Sequence, residues 1–191
     1  MTTFTLDTNC FIAVDEGRLE AEHVKALVDA ASSQEHSVAL LASSASERQL
    51  GGGHLSNINE FRERMNELGL GHLELLRPIG KYGLSFWGFG IYPSSEQKAR
   101  EKLIFQTLFP NFPTSWADYA REENIEVENL SSAKAWKWRN RLCDVQAYWS
   151  HENAGREVFV TSDPNFGKKL IGHDAFPNAA VMTPQDAAKL L

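Results

Sequence analysis

FVTSDPNF, residues 159–166, is a short apolar run that ends on an acid. Phe159, Val160 and Thr161 have the β-branched and aromatic character of a buried strand, and Asp163 stands at its end, followed at once by Pro164 and Asn165. FTLDTN, residues 4–9, repeats the pattern, with an apolar strand that delivers Asp7. Two strands that each end on a carboxylate predict acids gathered at one edge of a sheet.

Outward from these stretches, strands and helices alternate. Strands are expected at 3–7, 37–42, 72–76, 157–163 and 179–183. Helices are expected at 17–32, from Ser44 onward, at 57–69, at 94–108, through most of 114–154, and at 184–191. Residues 80–93 alternate glycines with aromatics and read as a loop or hairpin. This order predicts an α/β fold with a parallel sheet covered on both faces. Ligands of such sheets bind outside the carboxyl ends of the strands, where Asp7 and Asp163 are expected.

The 191 residues fit one domain, 1–191, with residues 80–120 as the segment least like the rest in composition. With 42% hydrophobic and 23% charged residues the balance is that of a globular domain. No apolar run approaches a membrane span, and the amino terminus lacks a signal-peptide layout. Cys10 and Cys143 form no close metal-ligand pair, and reduced thiols in a cytoplasmic protein are the expectation. A net charge of -6 argues against gripping nucleic acid through bulk positive charge. It leaves room for an acidic metal site and a local basic strip.

Four acids stand out, and each has a plain structural reading beside the functional one. Asp7 and Asp163 suit helix or turn caps, Asp163 with Pro164 at the first helical position. Glu47 completes a capping box in Ser44-Ala45-Ser46-Glu47. Asp144 suits a solvated helix acid in a polar stripe with Arg141, Tyr148 and His151, and Arg141 is a candidate ion-pair partner. Thr161, Ser162 and Asn165 add polar groups at the edge of Asp163. Together, one acid ends the first strand, one follows the second, one lies in the helix before the FVTSD strand, and one ends that strand. Crowded carboxylates raise one another's pKa unless a cation is present, and oxygen-only ligands suit Mg²⁺ or Mn²⁺.

The order FTLDTNCFI, ASSASERQ, LCDVQAYW, VFVTSDPNF resembles a PIN-domain ribonuclease. The resemblance covers residues 3–76 and 130–191, with Asp7-Thr8-Asn9 and Thr161-Ser162-Asp163 its most specific parts. It implies a doubly wound, three-layer α/β/α sandwich around a central parallel sheet, with a mainly helical insertion at 80–130. It also implies a metal-dependent endoribonuclease with Asp7, Glu47, Asp144 and Asp163 as acidic ligands of one or two Mg²⁺ or Mn²⁺ ions. Thr8 or Asn9 would stand beside them as polar support. Single-stranded or structured RNA would be the substrate. Compact members of the family, including toxins of toxin–antitoxin pairs, lack the extra 80–130 material; an antitoxin or other inhibitory protein and a homodimer are the implied protein partners.

Arg141, Lys168 and Lys169 are candidate RNA contacts, against a reading as surface cations. AKAWKWRNR, residues 133–141, suits either RNA held by stacking and charge or a helix with Trp138 in the core. The six histidines show no close metal-ligand pair, and only His151, on the stripe with Asp144, is singled out. A haloacid-dehalogenase-type phosphatase needs an acid where Asn9 stands, and no GxxxxGK[ST] phosphate loop occurs. The remaining rival is a non-catalytic scaffold of the same fold.

Overall fold

A computed structural model describes residues 1–41, 58–81, 85 and 88–191. Its sheet has five strands, β1 (Thr3–Leu6), β2 (Ser37–Leu41), β3 (Glu74–Leu76), β4 (Val158–Val160) and β5 (Val181–Met182). Their order is β3-β2-β1-β4-β5, and every neighbouring pair is parallel. The described helices are α1 (Thr8–Glu16), α2 (Ala21–Ser32), α3 (Ile58–Glu67), α4 (Ser95–Leu108), α5 (Trp116–Glu122), α6 (Ala133–Asn153), α7 (Pro164–Leu170) and α8 (Pro184–Ala188).

Alternation along the strands builds two cores, because successive side chains point to opposite faces. Phe4, Leu6, Val38, Leu40, Val158 and Val160 face one side, where they meet α1, α2, α3 and α8 through residues such as Phe11, Leu27, Phe61 and Ala187. Ala39, Leu41, Leu76 and Phe159 face the other, where they meet α4, α6 and α7 through Phe105, Trp149 and Phe166. The result is the expected three-layer α/β/α arrangement. β1 lies between β2 and β4, so the chain leaves β1 in one direction and returns to its other side. That reversal is the topological switch point, where a crevice opens outside the strand ends.

Several elements depart from expectation. The helix expected at 17–32 is α2 alone, and α1, which was not expected, lies before it. Gly17 closes α1 with φ 65°, and its N–H reaches Ala13 O; α2 starts only at Ala21. Leu19, counted on the apolar face of that helix, is 95% exposed in the connection. Residues 164–170, given no helix, form α7. Strands β3, β4 and β5 are shorter than expected, since only two or three residues of each find a ladder. The 80–93 segment closes on itself: Gly80 N–H donates to Ile91 O and Ile91 N–H to Pro78 O. α4 opens with a capping box of Ser94 and Gln97 and packs along α6. The expected helix from Ser44 and the Glu47 capping box lie outside the described residues. Among the described residues, no helix is long and apolar enough to cross a membrane.

Candidate functional site

β1 and β4 run side by side with Leu6 opposite Val160, so the residues just beyond each strand face one another. Asp7 N–H extends the ladder by one bond to Val160 O, at 2.9 Å. The Asp7 side chain then turns under α1 as its N-cap and is only 5% exposed. Its Oδ1 accepts from Thr8 N at 2.7 Å. Its Oδ2 accepts from Asn9 Nδ2 at 2.9 Å and from Thr161 Oγ1 at 2.8 Å.

Thr161 and Asn9 stitch the two strand ends together. The Thr161 hydroxyl oxygen also accepts from Asn9 Nδ2 at 2.8 Å and from Asp163 N at 3.0 Å. Asn9 Oδ1 accepts from Ser162 N at 3.1 Å. Asp163 caps α7 by accepting from Asn165 N at 2.8 Å. Asn165 Nδ2 reaches Leu108 O, at the end of α4. Asp7-Thr8-Asn9 and Thr161-Ser162-Asp163, read separately in the sequence, thus form one constellation.

The electrostatics are those of a buried acid near a second acid. Burial pushes the Asp7 carboxyl up to about 6. Bonds from Thr161 and Thr8 pull it back in part, and the negative charge of Asp163 raises it further. Neither carboxylate has an ion-pair partner among the described residues. The neighbouring Cys10 thiol is pushed up by burial and by Asp7, so it stays protonated.

Asp144 enters from α6. His151 Nδ1 meets Thr5 Oγ1 at 2.9 Å, which aligns the last turns of that helix with the middle of β1. Asp144, seven residues earlier on the same face, lies about 10 Å back along the axis, toward the carboxyl edge. It does not complete a metal-sized group: among the described residues, no three His, Cys, Asp or Glu side chains are close enough to hold an ion. The structure therefore joins Asp7 and Asp163 at adjoining strand ends and leaves Glu47 outside the described residues.

The expected polar stripe on α6 is largely interior, with Tyr148 2% and His151 4% exposed. Burial, with the nearby Arg156 charge, pushes His151 down to about 3, so its imidazole is neutral. Arg141 lies with its guanidinium over the Phe112 ring, 3.7 Å from the centroid, and donates to Lys137 O. Lys168 and Lys169 are exposed in the last turn of α7. Phe112 also lies under Lys137. The pairing of cation with aromatic was signalled by the composition of 133–141 but not its aromatic partner.

The donor set at the strand ends is two carboxylates and neutral oxygens. That suits a hard divalent ion, because Mg²⁺ is commonly held by one or two carboxylates and completes its shell with water and phosphate.

No protein-family model matches the chain, and no curated protein matches it. One chain of the crystal structure of VapBC2 from Rickettsia felis, bound to a DNA fragment from its promoter, is similar over 95% of this chain and 98% of that chain. The TM-score is 0.44 and the identity 11%, a likeness too distant to assign a family.

Proposed function

We propose that this chain is a PIN-like, Mg²⁺- or Mn²⁺-dependent endoribonuclease. The observation that carries the reading is the Asp7–Asp163 pair at the switch point between β1 and β4, tied by Asn9 and Thr161. Asp7 and Asp163 would hold the ion, with Asp144 and Glu47 completing the acidic set. When bound, a divalent ion supplies an acidified water and neutralises charge on a phosphoryl oxygen.

The chain's own groups prepare that chemistry. Thr161 gives its proton to Asp7, so its hydroxyl serves as a fixed donor and not as a nucleophile. Asn9 orients Asp7 and anchors the Ser162 backbone, which keeps the two strand ends in register. Asp7 works as a ligand only when ionised, and its carboxyl sits near 6. Metal binding is therefore expected to strengthen as pH rises through that value. Single-stranded RNA fits as substrate because its splayed backbone can approach a narrow edge.

One observation favours a second reading. Asp7 and Asp163 each cap a helix, α1 and α7, which accounts for both acids in a scaffold protein without chemistry. Calorimetric titration with Mn²⁺ at pH 7.5 separates the two. The nuclease reading expects saturable binding that Asp7→Asn abolishes while the variant still unfolds cooperatively. A wild type that takes up no Mn²⁺ leaves the capping role as the whole function of these acids.

A further inference from the structure

The amino-terminal half of α6 carries cations that the rest of the fold does not neutralise. Lys134 pairs with Glu123 at 2.7 Å. Lys137, Arg139 and Arg141, the next three cations, make no ion pair among the described residues, although, after the bond from Lys134, the Lys137 charge helps to lower the Glu123 carboxyl. In a chain of net charge -6 such a cluster is unexpected.

Aromatic rings hold these cations in place instead. Lys137 Nζ lies 5.6 Å from the Phe112 centroid, and the Arg141 guanidinium lies 3.7 Å from the same ring. The Arg139 guanidinium lies 5.0 Å from Trp136. Phe112 is itself fixed, stacked on Tyr119 at 5.4 Å and 27°. A ring face orients a cation without cancelling its charge. The Nε atoms of Arg139 and Arg141 are enclosed and lack an acceptor, so both guanidinium groups are under-satisfied.

A chain of contacts links the cluster to the acidic pair. Arg141 lies over Phe109, 5.4 Å away, at the C-cap of α4. The preceding carbonyl, Leu108 O, accepts from the Asn165 side chain, and the Asn165 backbone N–H donates to the Asp163 cap. On α6 itself, Arg141 stands one turn before Asp144.

We infer that Lys137, Arg139 and Arg141, backed by Phe112 and Trp136, form the track on which the phosphodiester backbone of a single-stranded RNA lies as it approaches the Asp7–Asp163 edge. The inference rests on the nuclease reading for the direction of the strand, not for the binding itself. Phosphate oxygens accept from the exposed Lys137 and from the outer Nη groups of the half-buried Arg139 and Arg141, whose enclosed Nε atoms they do not reach, and an exposed base can stack on the planar Arg141.

The test is fluorescence anisotropy of a labelled twelve-nucleotide oligouridylate in EDTA, so that nothing is cut. Wild type is compared with Lys137→Ala, Arg141→Ala, Arg141→Lys and a control on the opposite layer, Lys25→Ala. Each alanine variant on α6 is expected to weaken binding about tenfold. Each should also lower the slope of log K against log salt by about 0.7, one single-strand phosphate contact. Arg141→Lys should keep the slope and still bind less tightly, because a lysine cannot stack. Lys25→Ala should match wild type. Unchanged affinity and slope in a Lys137→Ala/Arg141→Ala double variant overturn the track, even if the protein cuts RNA with Mn²⁺. Arg141-dependent binding by a protein that cuts nothing upholds the track and removes the nuclease.

Discussion

Asp7 makes the stability of this protein depend on pH in an unusual direction. Its carboxyl moves from an ordinary 3.8 to about 6 on folding, chiefly through burial. Between those values the folded chain holds a proton that the unfolded chain has released. The stabilisation linked to that proton is complete below about pH 4 and is lost as pH rises through 6. At about 1.4 kcal/mol per pH unit, the whole effect is about 3 kcal/mol, of which about 2 kcal/mol falls between pH 4.5 and 7.5. Asp7→Asn lacks this titration. Urea unfolding followed by tryptophan fluorescence, in EDTA, gives both stabilities across that range. The wild type is expected to gain about 2 kcal/mol on Asp7→Asn as pH falls from 7.5 to 4.5. A difference between the two that stays flat across the range refutes the buried, charge-strained Asp7.

Other perturbations probe neighbouring parts of the account. His151, neutral and held near 3, opposes Asp7: its contribution is full above 6.5 and lost on acidification, about 2 kcal/mol by pH 5. His151→Gln should remove that acid sensitivity in the same unfolding assay. Thr161→Val deletes the hydroxyl shared by Asp7, Asn9 and Asp163. It should cost about 2 kcal/mol and move the Asp7 titration upward, both read from unfolding against pH. Gly17→Ala should cost about 1 kcal/mol in thermal unfolding. The φ of 65° is the sole cause, since a methyl there meets nothing within 4 Å. Mn²⁺ at a hundredfold excess over its Kd should stabilise the wild type by about 2.7 kcal/mol and leave Asp7→Asn unmoved, in a thermal melt at pH 7.5.

The strands that place the candidate site were readable because short β-branched and aromatic runs have few other uses. FTL and VFV both proved to be sheet strands, and their parallel pairing followed from the helices between them. α1 was not readable in the same way. Its nine residues begin with two polar ones, and Leu19 beyond Gly17 drew the apolar pattern forward. α7 was announced by Asp163 and Pro164, but seven residues with a central glycine carry little periodicity. The double bond from Asn9 to Asp7 and Thr161 depends on the register of Leu6 against Val160, which local sequence does not encode. Arg141 illustrates the same limit. Helical spacing pointed it at Asp144, whereas tertiary packing lays it on Phe112, far away in the chain. Glycines at 80 and 90 signalled a loop; the structure adds that a Cβ on Gly90 would strike the Gly80 backbone, so the closure needs a glycine at 90, whereas one on Gly80 would meet only ordinary contacts.

The most direct test of the central claim is cleavage of a 5′-labelled single-stranded RNA of mixed sequence, with Mn²⁺ and with excess EDTA, by wild type, Asp7→Asn and Asp163→Asn. The account predicts internal cuts by the wild type that EDTA abolishes, and a loss of cutting in both variants while each remains folded. Cutting that survives EDTA, or that persists in folded Asp7→Asn, would contradict it.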